Sequence, residues 1–183
     1  MTAFRLQAVG ETDEWYTPPH IFEALGCSFD LDVASPGPSV VSWIPAKKFF
    51  NKNSLTRPWN GFVWMNPPFK ERNGLVPWLD KFFTHGNGIA LIPDRTSAPW
   101  WQEYVPKSNA VLFVNGKIRF IEANTMQPGS TPAQGSCLLA AGNLAMKILQ
   151  RTSRTKKLGT LMVPVKRKLT VGQASDTKMY YRR

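Results

Sequence analysis

Apolar residues along this chain gather in short unbroken runs, separated by stretches in which they recur at helical spacing. Gly61-Phe62-Val63-Trp64-Met65 is one such run, aromatic and β-branched, and it predicts a buried strand. Two consecutive prolines, Pro67 and Pro68, then remove two backbone donors and fix φ, so the strand ends at Asn66. A residue preceding proline is pushed out of the α region, which keeps Asn66 and Pro67 extended. The Asn66 amide, the Pro67 carbonyl and the Phe69 ring are therefore expected to face one small space beyond the sheet edge. Four residues of this kind also occur in ordinary proline loops, so the rest of the chain decides their meaning.

The same patterning places the other elements. Thr17-Pro18-Pro19 opens a short helix whose stripe is Ile21, Phe22 and Leu25 and whose stop is Gly26. Ser28 to Val33 alternates as a strand and runs into the turn Ala34-Ser35-Pro36-Gly37. Residues 36 to 60 read as irregular. Leu75, Val76, Leu79, Phe82 and Phe83 recur as on a helix, Gly86 to Gly88 ends it, and Ile89 to Ile92 is a buried strand. A Trp-rich helix is expected over Ala98 to Val105 and a strand over Ala110 to Val114, with Lys117 to Ile121 as its hairpin partner across Asn115-Gly116. Residues 123 to 135 form a polar loop and Ser136 to Ala141 a final strand.

Alternating strands and helices of these lengths predict an α/β fold: a mainly parallel sheet with helices on both faces, and ligands beyond the carboxyl ends of the strands. Asp32 and Asn66 both fall at such ends. The 183 residues suffice for one domain of catalytic size. No run approaches the roughly 20 apolar residues that cross a bilayer, and Met1 to Glu14 lacks a signal pattern, so a cytoplasmic protein with no membrane partner is expected. Cys27 and Cys137 stand apart, with only His20 and His85 as other soft ligands, so neither a disulfide framework nor a metal site is indicated.

Charge changes the picture only toward the C-terminus. Residues 1 to 146 hold 12 Lys and Arg against 11 Asp and Glu, whereas residues 147 to 183 hold 11 against 1. This contrast suggests a catalytic domain over 1–146 and a basic extension over 147–183, either a polyphosphate contact through Lys156, Lys157, Lys166, Arg167 and Lys168 or a partly disordered solubilising tail.

Five blocks in order resemble the phage-encoded, Dam-like DNA N6-adenine methyltransferases. They are Asp13-Glu14-Trp15-Tyr16-Thr17-Pro18, Phe29 to Pro36, Trp59-Asn60-Gly61 leading into Asn66-Pro67-Pro68-Phe69, Ala90-Leu91-Ile92-Pro93, and Gly116-Lys117-Ile118-Arg119-Phe120, within residues 13 to 142. The resemblance implies a Rossmann-like S-adenosylmethionine-dependent fold acting on adenine in double-stranded DNA in a bacterial host cytoplasm. It implies that the Asn66 side-chain oxygen and the Pro67 carbonyl accept the two hydrogens of the adenine amine. Phe69 would stack on a base flipped from the duplex. An amide is no general base, so orientation and electrostatics are expected to carry the rate.

The resemblance also implies a donor site at Tyr16, Thr17 and Pro18, at Asp32 with Ala34 and Ser35, and at Phe49 or Phe50 beside the donor purine. Arg95 and Arg119 are the candidate DNA contacts. Two departures stand out: the glycine-rich loop usual after the first strand is absent, and Asn53-Ser54-Leu55 replaces a family acid. Rival readings are methyl transfer to RNA or a glutamine amide, and an inactive DNA-binding protein of the same fold. The oligomeric state, monomer or homodimer, stays open at this point.

Overall fold

The computed structural model describes residues 14–68, 74–155 and 158–165. Among them, a seven-stranded sheet forms the centre. Its strands are β2 (Phe29–Asp32), β3 (Ala46–Phe49), β4 (Val63–Met65), β5 (Gly88–Pro93), β6 (Ala110–Val114), β8 (Ser136–Ala141) and β9 (Gly159–Met162), in the order β3-β2-β4-β5-β8-β6-β9. β1 (Trp15–Tyr16) and β7 (Ile121–Glu122) make a separate antiparallel ribbon. Parallel pairing joins β3, β2, β4 and β5. Antiparallel pairing joins β5, β8, β6 and β9. Five of the seven strands thus share one direction, with β8 and β9 opposed.

Continuous apolar runs form the central strands because both faces are covered. One face carries α1 (Pro19–Leu25) and α4 (Asn143–Arg154), where Ile21, Phe22, Leu149 and Ile148 pack on Trp64, Ile89, Leu91 and Leu138. The other carries α2 (Val76–His85) and α3 (Pro99–Tyr104), where Leu79, Phe82, Trp100 and Tyr104 pack on Val63, Met65, Ala90 and Leu139. Adjacent residues of β4 therefore enter opposite cores, Trp64 one and Met65 the other, as the pleat requires. α1 stops at Gly26, whose φ of 54° suits glycine and whose N–H returns to the Phe22 carbonyl.

Three sequence expectations are corrected here. Lys117 to Ile121 is not the hairpin partner of β6. β8 and β9 occupy both hydrogen-bonding edges of β6, and only Ile121–Glu122 is a strand, paired with Trp15–Tyr16. The stretch read as irregular contains β3, a half-exposed edge strand whose Ala-Lys-Lys-Phe sequence has no apolar alternation to betray it.

The compositional boundary at residue 146 falls inside α4, whose Ala145, Ile148 and Leu149 are buried, and β9 continues the sheet beyond it. Residues 147 to 155 and 158 to 165 thus belong to the same folded unit. The Arg151 guanidinium donates to the Leu25 and Gly26 carbonyls at the end of α1, so one of the tail's cations closes a helix end.

Candidate active site

β4 delivers Asn66 to the carboxyl edge of the sheet, between β2 and β5. Asp32 stands level with Trp64, two residues before Asn66, so both polar side chains project toward the face covered by α1. Asn66 is half-buried, Pro67 buried and Pro68 exposed. Phe69 lies outside the described residues, as do Lys156, Lys157, Lys166, Arg167 and Lys168.

The Asn66 amide is anchored by its nitrogen. Nδ2 donates to the Thr17 hydroxyl at 3.1 Å and approaches the Trp15 carbonyl at 3.5 Å. A carbonyl can only accept, which fixes the amide with its nitrogen toward β1 and its oxygen away. No donor among the described residues takes Oδ1. Asn66 therefore offers an acceptor, with the backbone carbonyl of Pro67 following it in the chain. Thr17 is 1% exposed, and its carbonyl accepts from Trp43 Nε1 at 2.8 Å. Pro18 is the extended N-cap of α1 and Pro19 its first residue. Tyr16 is buried, donates its hydroxyl to Glu14 at 3.2 Å, and has its phenol pKa raised by burial and then by Glu14.

Asp32 is a buried carboxylate at 1% exposure. The Ala34 N–H donates to its Oδ1 at 3.1 Å and Ser35 adds a side-chain hydrogen bond, yet burial outweighs both and pushes its pKa up to about 7. The segment after β2 is bound to the segment after β3: Phe50 N–H donates to the Asp32 carbonyl at 2.9 Å and Ser35 N–H to the Phe50 carbonyl at 3.1 Å. Phe49 stands level with Asp32 across the β2–β3 pair. Asp32, Ala34, Ser35, Phe49 and Phe50 are thus brought together, while Thr17 is joined to Asn66.

The Arg57 guanidinium lies 3.6 Å from the centre of the Phe50 ring. Both line a cavity of about 560 Å³ with Asp30, Lys47 and Lys48, on the β3 flank rather than at the Asn66 corner. Lys81 on α2 reaches across to this segment and donates to the carbonyls of Ser54, Leu55 and Arg57. Desolvation lowers its pKa.

Arg95 is exposed just past β5, at the same sheet edge as Asn66. Arg119 is exposed too, but its guanidinium donates to the Gly129 carbonyl at 2.8 Å and the Pro128 carbonyl at 3.4 Å, and Lys117 reaches the Ala133 carbonyl at 3.0 Å. Both side chains brace the loop over residues 123 to 135. Sequence reasoning quoted Trp15 only within the first resembling block, without a role, and missed Trp43, Arg57 and Lys81. Only the Lys81 and Arg57 charges could have drawn attention, and neither names its partner. Among the described residues no group of His, Cys, Asp and Glu could hold a metal, and no helix is long and apolar enough to cross a membrane.

The fold is thus a mixed α/β sheet that carries a proline-stiffened amide acceptor at its carboxyl edge. The DNA N-6-adenine-methyltransferase (Dam) family profile matches residues 7–160, and the chain belongs to that family. It is 24% identical over 163 residues to the DNA N-6-adenine-methyltransferase of Escherichia phage T1, covering 76% of this chain and 67% of the phage protein. No solved structure matches it. The chain's reaction is accordingly N6-adenine methylation of DNA.

Proposed function

We propose that the chain transfers a methyl group from S-adenosylmethionine to the N6 of an adenine flipped out of double-stranded DNA. The anchored Asn66 amide carries this reading: its nitrogen is held by Thr17 and Trp15, so its oxygen is the acceptor. The donor supplies an electrophilic methyl carbon on a positively charged sulfur. Asn66 Oδ1 and the Pro67 carbonyl accept the two amine hydrogens, drawing the nitrogen out of conjugation with the ring and aiming its lone pair. These bonds strengthen as the nitrogen gains positive charge, a contribution of about 1.5–3 kcal/mol each. As the N6–methyl bond would form, the methyl–sulfur bond would break with its electron pair left on a neutral thioether, and the extra proton on N6 would pass to solvent after transfer rather than to Asn66, because an amide is not a competent base at neutral pH.

The residues fit a cationic donor. Asp32 is a buried carboxylate that meets backbone and hydroxyl donors but no opposing charge among the described residues, and a sulfonium or ammonium group would supply one. Ala34 and Ser35 fix its loop, Phe49 and Phe50 flank the donor purine, and Tyr16 and Pro18 close the other side. The Rossmann-like character of the fold rests on this arrangement at the ends of β2, β3 and β4. Arg95 and Arg119 contact DNA, joined by Lys156, Lys157, Lys166, Arg167 and Lys168, and Phe69 stacks on the extruded base.

Incubation with labelled donor and duplex DNA, followed by mapping of modified adenines, tests the assignment. Asn66→Ala is expected to lower the methylation rate at least a hundredfold, about 3 kcal/mol, with donor binding unchanged. Equal loss of donor binding would show that Asn66 serves the donor site or the fold.

A further inference from the structure

A primary amide at Asn66 could present either of two faces to the target. With oxygen forward it accepts the amine hydrogens; with nitrogen forward it opposes them with hydrogens of its own. The choice is made by what holds the other end. The Trp15 carbonyl, 3.5 Å from Nδ2, can only accept and so decides which end of the amide turns inward, while the Thr17 hydroxyl at 3.1 Å makes the closer contact that holds it there.

We propose that Thr17 is a positioning residue for methyl transfer, whose buried hydroxyl anchors the Asn66 amide in the orientation the acceptor-only Trp15 carbonyl selects, with its oxygen toward adenine N6. The inference rests on the role proposed for Asn66 and changes the part Thr17 plays, from the donor site to the target site.

Thr17 is itself held firmly enough for this. It is 1% exposed, and Trp43 donates to its carbonyl at 2.8 Å. It follows the short strand β1, which β7 pins through the Trp15–Glu122 and Tyr16–Ile121 pairs. Pro18 after it is fixed as the extended N-cap of α1. A hydroxyl can both accept and donate, so the arrangement carries a chemical signature. Were the amide replaced by a carboxylate, the hydroxyl would turn to donate, and either carboxylate oxygen would still face the target as an acceptor. Orientation matters for an amide and is redundant for a carboxylate.

The test is a double-mutant cycle on the full chain, with Thr17→Val and Asn66→Asp, alone and combined, in single-turnover methylation of a duplex oligonucleotide. Thr17→Val keeps the volume and removes the acceptor. It is expected to lower the rate about ten- to a hundredfold, with donor KM unchanged. Thr17→Ser should restore the rate to within about threefold of the parent, and in the Asn66→Asp background Thr17→Val should cost no more than about threefold. Equal loss in both backgrounds, a loss appearing in donor KM, or failure of Thr17→Ser to rescue would each overturn the proposal.

If Asn66→Asp is itself inactive, the KM comparison and the serine rescue still decide. Melting temperature checks the fold of each variant; should Thr17→Val not fold, Thr17→Cys, a weak acceptor of similar size, takes its place. Retention of activity by Asn66→Ala would sink the role of Asn66 itself. Loss in Asn66→Ala with none in Thr17→Val would sink only the inference about Thr17.

Discussion

At the scale of single residues, the proposed site rests on two polar side chains whose surroundings do opposite things. Asn66 is neutral and its orientation is fixed, whereas Asp32 is ionisable and its charge is penalised. Burial lifts the Asp32 pKa from 3.8 to about 7, against the hydrogen bonds from Ala34 and Ser35. The sign follows from linkage. A carboxyl whose folded-state pKa is raised leaves stability intact below the unfolded value, and stability declines as pH rises from about 4 to about 7. Binding a cation beside it reverses the preference and releases a proton.

Donor affinity should therefore increase as pH rises through about 7 and level off above it. Asp32→Asn should flatten that dependence, weaken donor binding, and raise the melting temperature at pH 8. Calorimetric titration in buffers of different ionisation enthalpy measures both affinity and proton release. Donor affinity that rises with pH in Asp32→Asn as in the parent would remove Asp32 from the donor site.

Elements show why some of this was legible in the sequence and some was not. β4, β5 and β8 were readable because both faces of the sheet are covered, so nearly every residue in them is apolar. β3 was hidden because an edge strand with two exposed lysines has no such pattern. The Asn-Gly pair at 115–116 does turn the chain, with Gly116 at φ 76°, but a turn does not determine which strands pair. Asp32 and Asn66 were placed at strand ends from local signals alone. The link from Asn66 to Thr17 spans 49 residues and no local pattern encodes it.

That link, with the Trp15 carbonyl beside it, ties the β1–β7 ribbon to the Asn66 amide. Gly129, in the loop braced by Arg119, sits so close to the Trp15 ring that a Cβ there would overlap it. Gly129→Val should displace Trp15, whose carbonyl lies beside the Asn66 amide, and cost about 1–3 kcal/mol of stability by overpacking. Methylation should fall at least tenfold at temperatures where the variant is still folded. Thermal melting and a methylation assay at 20 °C separate the two effects, and wild-type activity in a destabilised variant would show that the ribbon does not set the amide.

For the whole molecule, the distribution of charge and the boundary of the fold no longer coincide. The basic stretch begins by composition near residue 147, but α4 and β9 put residues as far as Met162 into the sheet and its cover. A chain ended at residue 146 would strip α4 from Ile21, Phe22 and Leu25 and bare the outer edge of β6, exposing a core face, so it should not fold. A chain ended at Val165 retains every described element and loses six Lys and Arg and one Asp. Its melting temperature should match that of the parent.

DNA affinity is where the shorter chain should differ. Every phosphate left without its cation lowers the magnitude of the slope of log K against log salt by about 0.9. Removing several such cations should weaken binding markedly at 50 mM salt and leave the two chains nearly alike at high salt. Fluorescence anisotropy with a labelled duplex across a salt series gives both slopes. Parallel slopes would mean that residues 166 to 183 do not touch the phosphates, and the electrostatic grip would then fall to cations within the fold, Arg95 at the carboxyl edge and Lys47, Lys48 and Arg57 along the β3 flank.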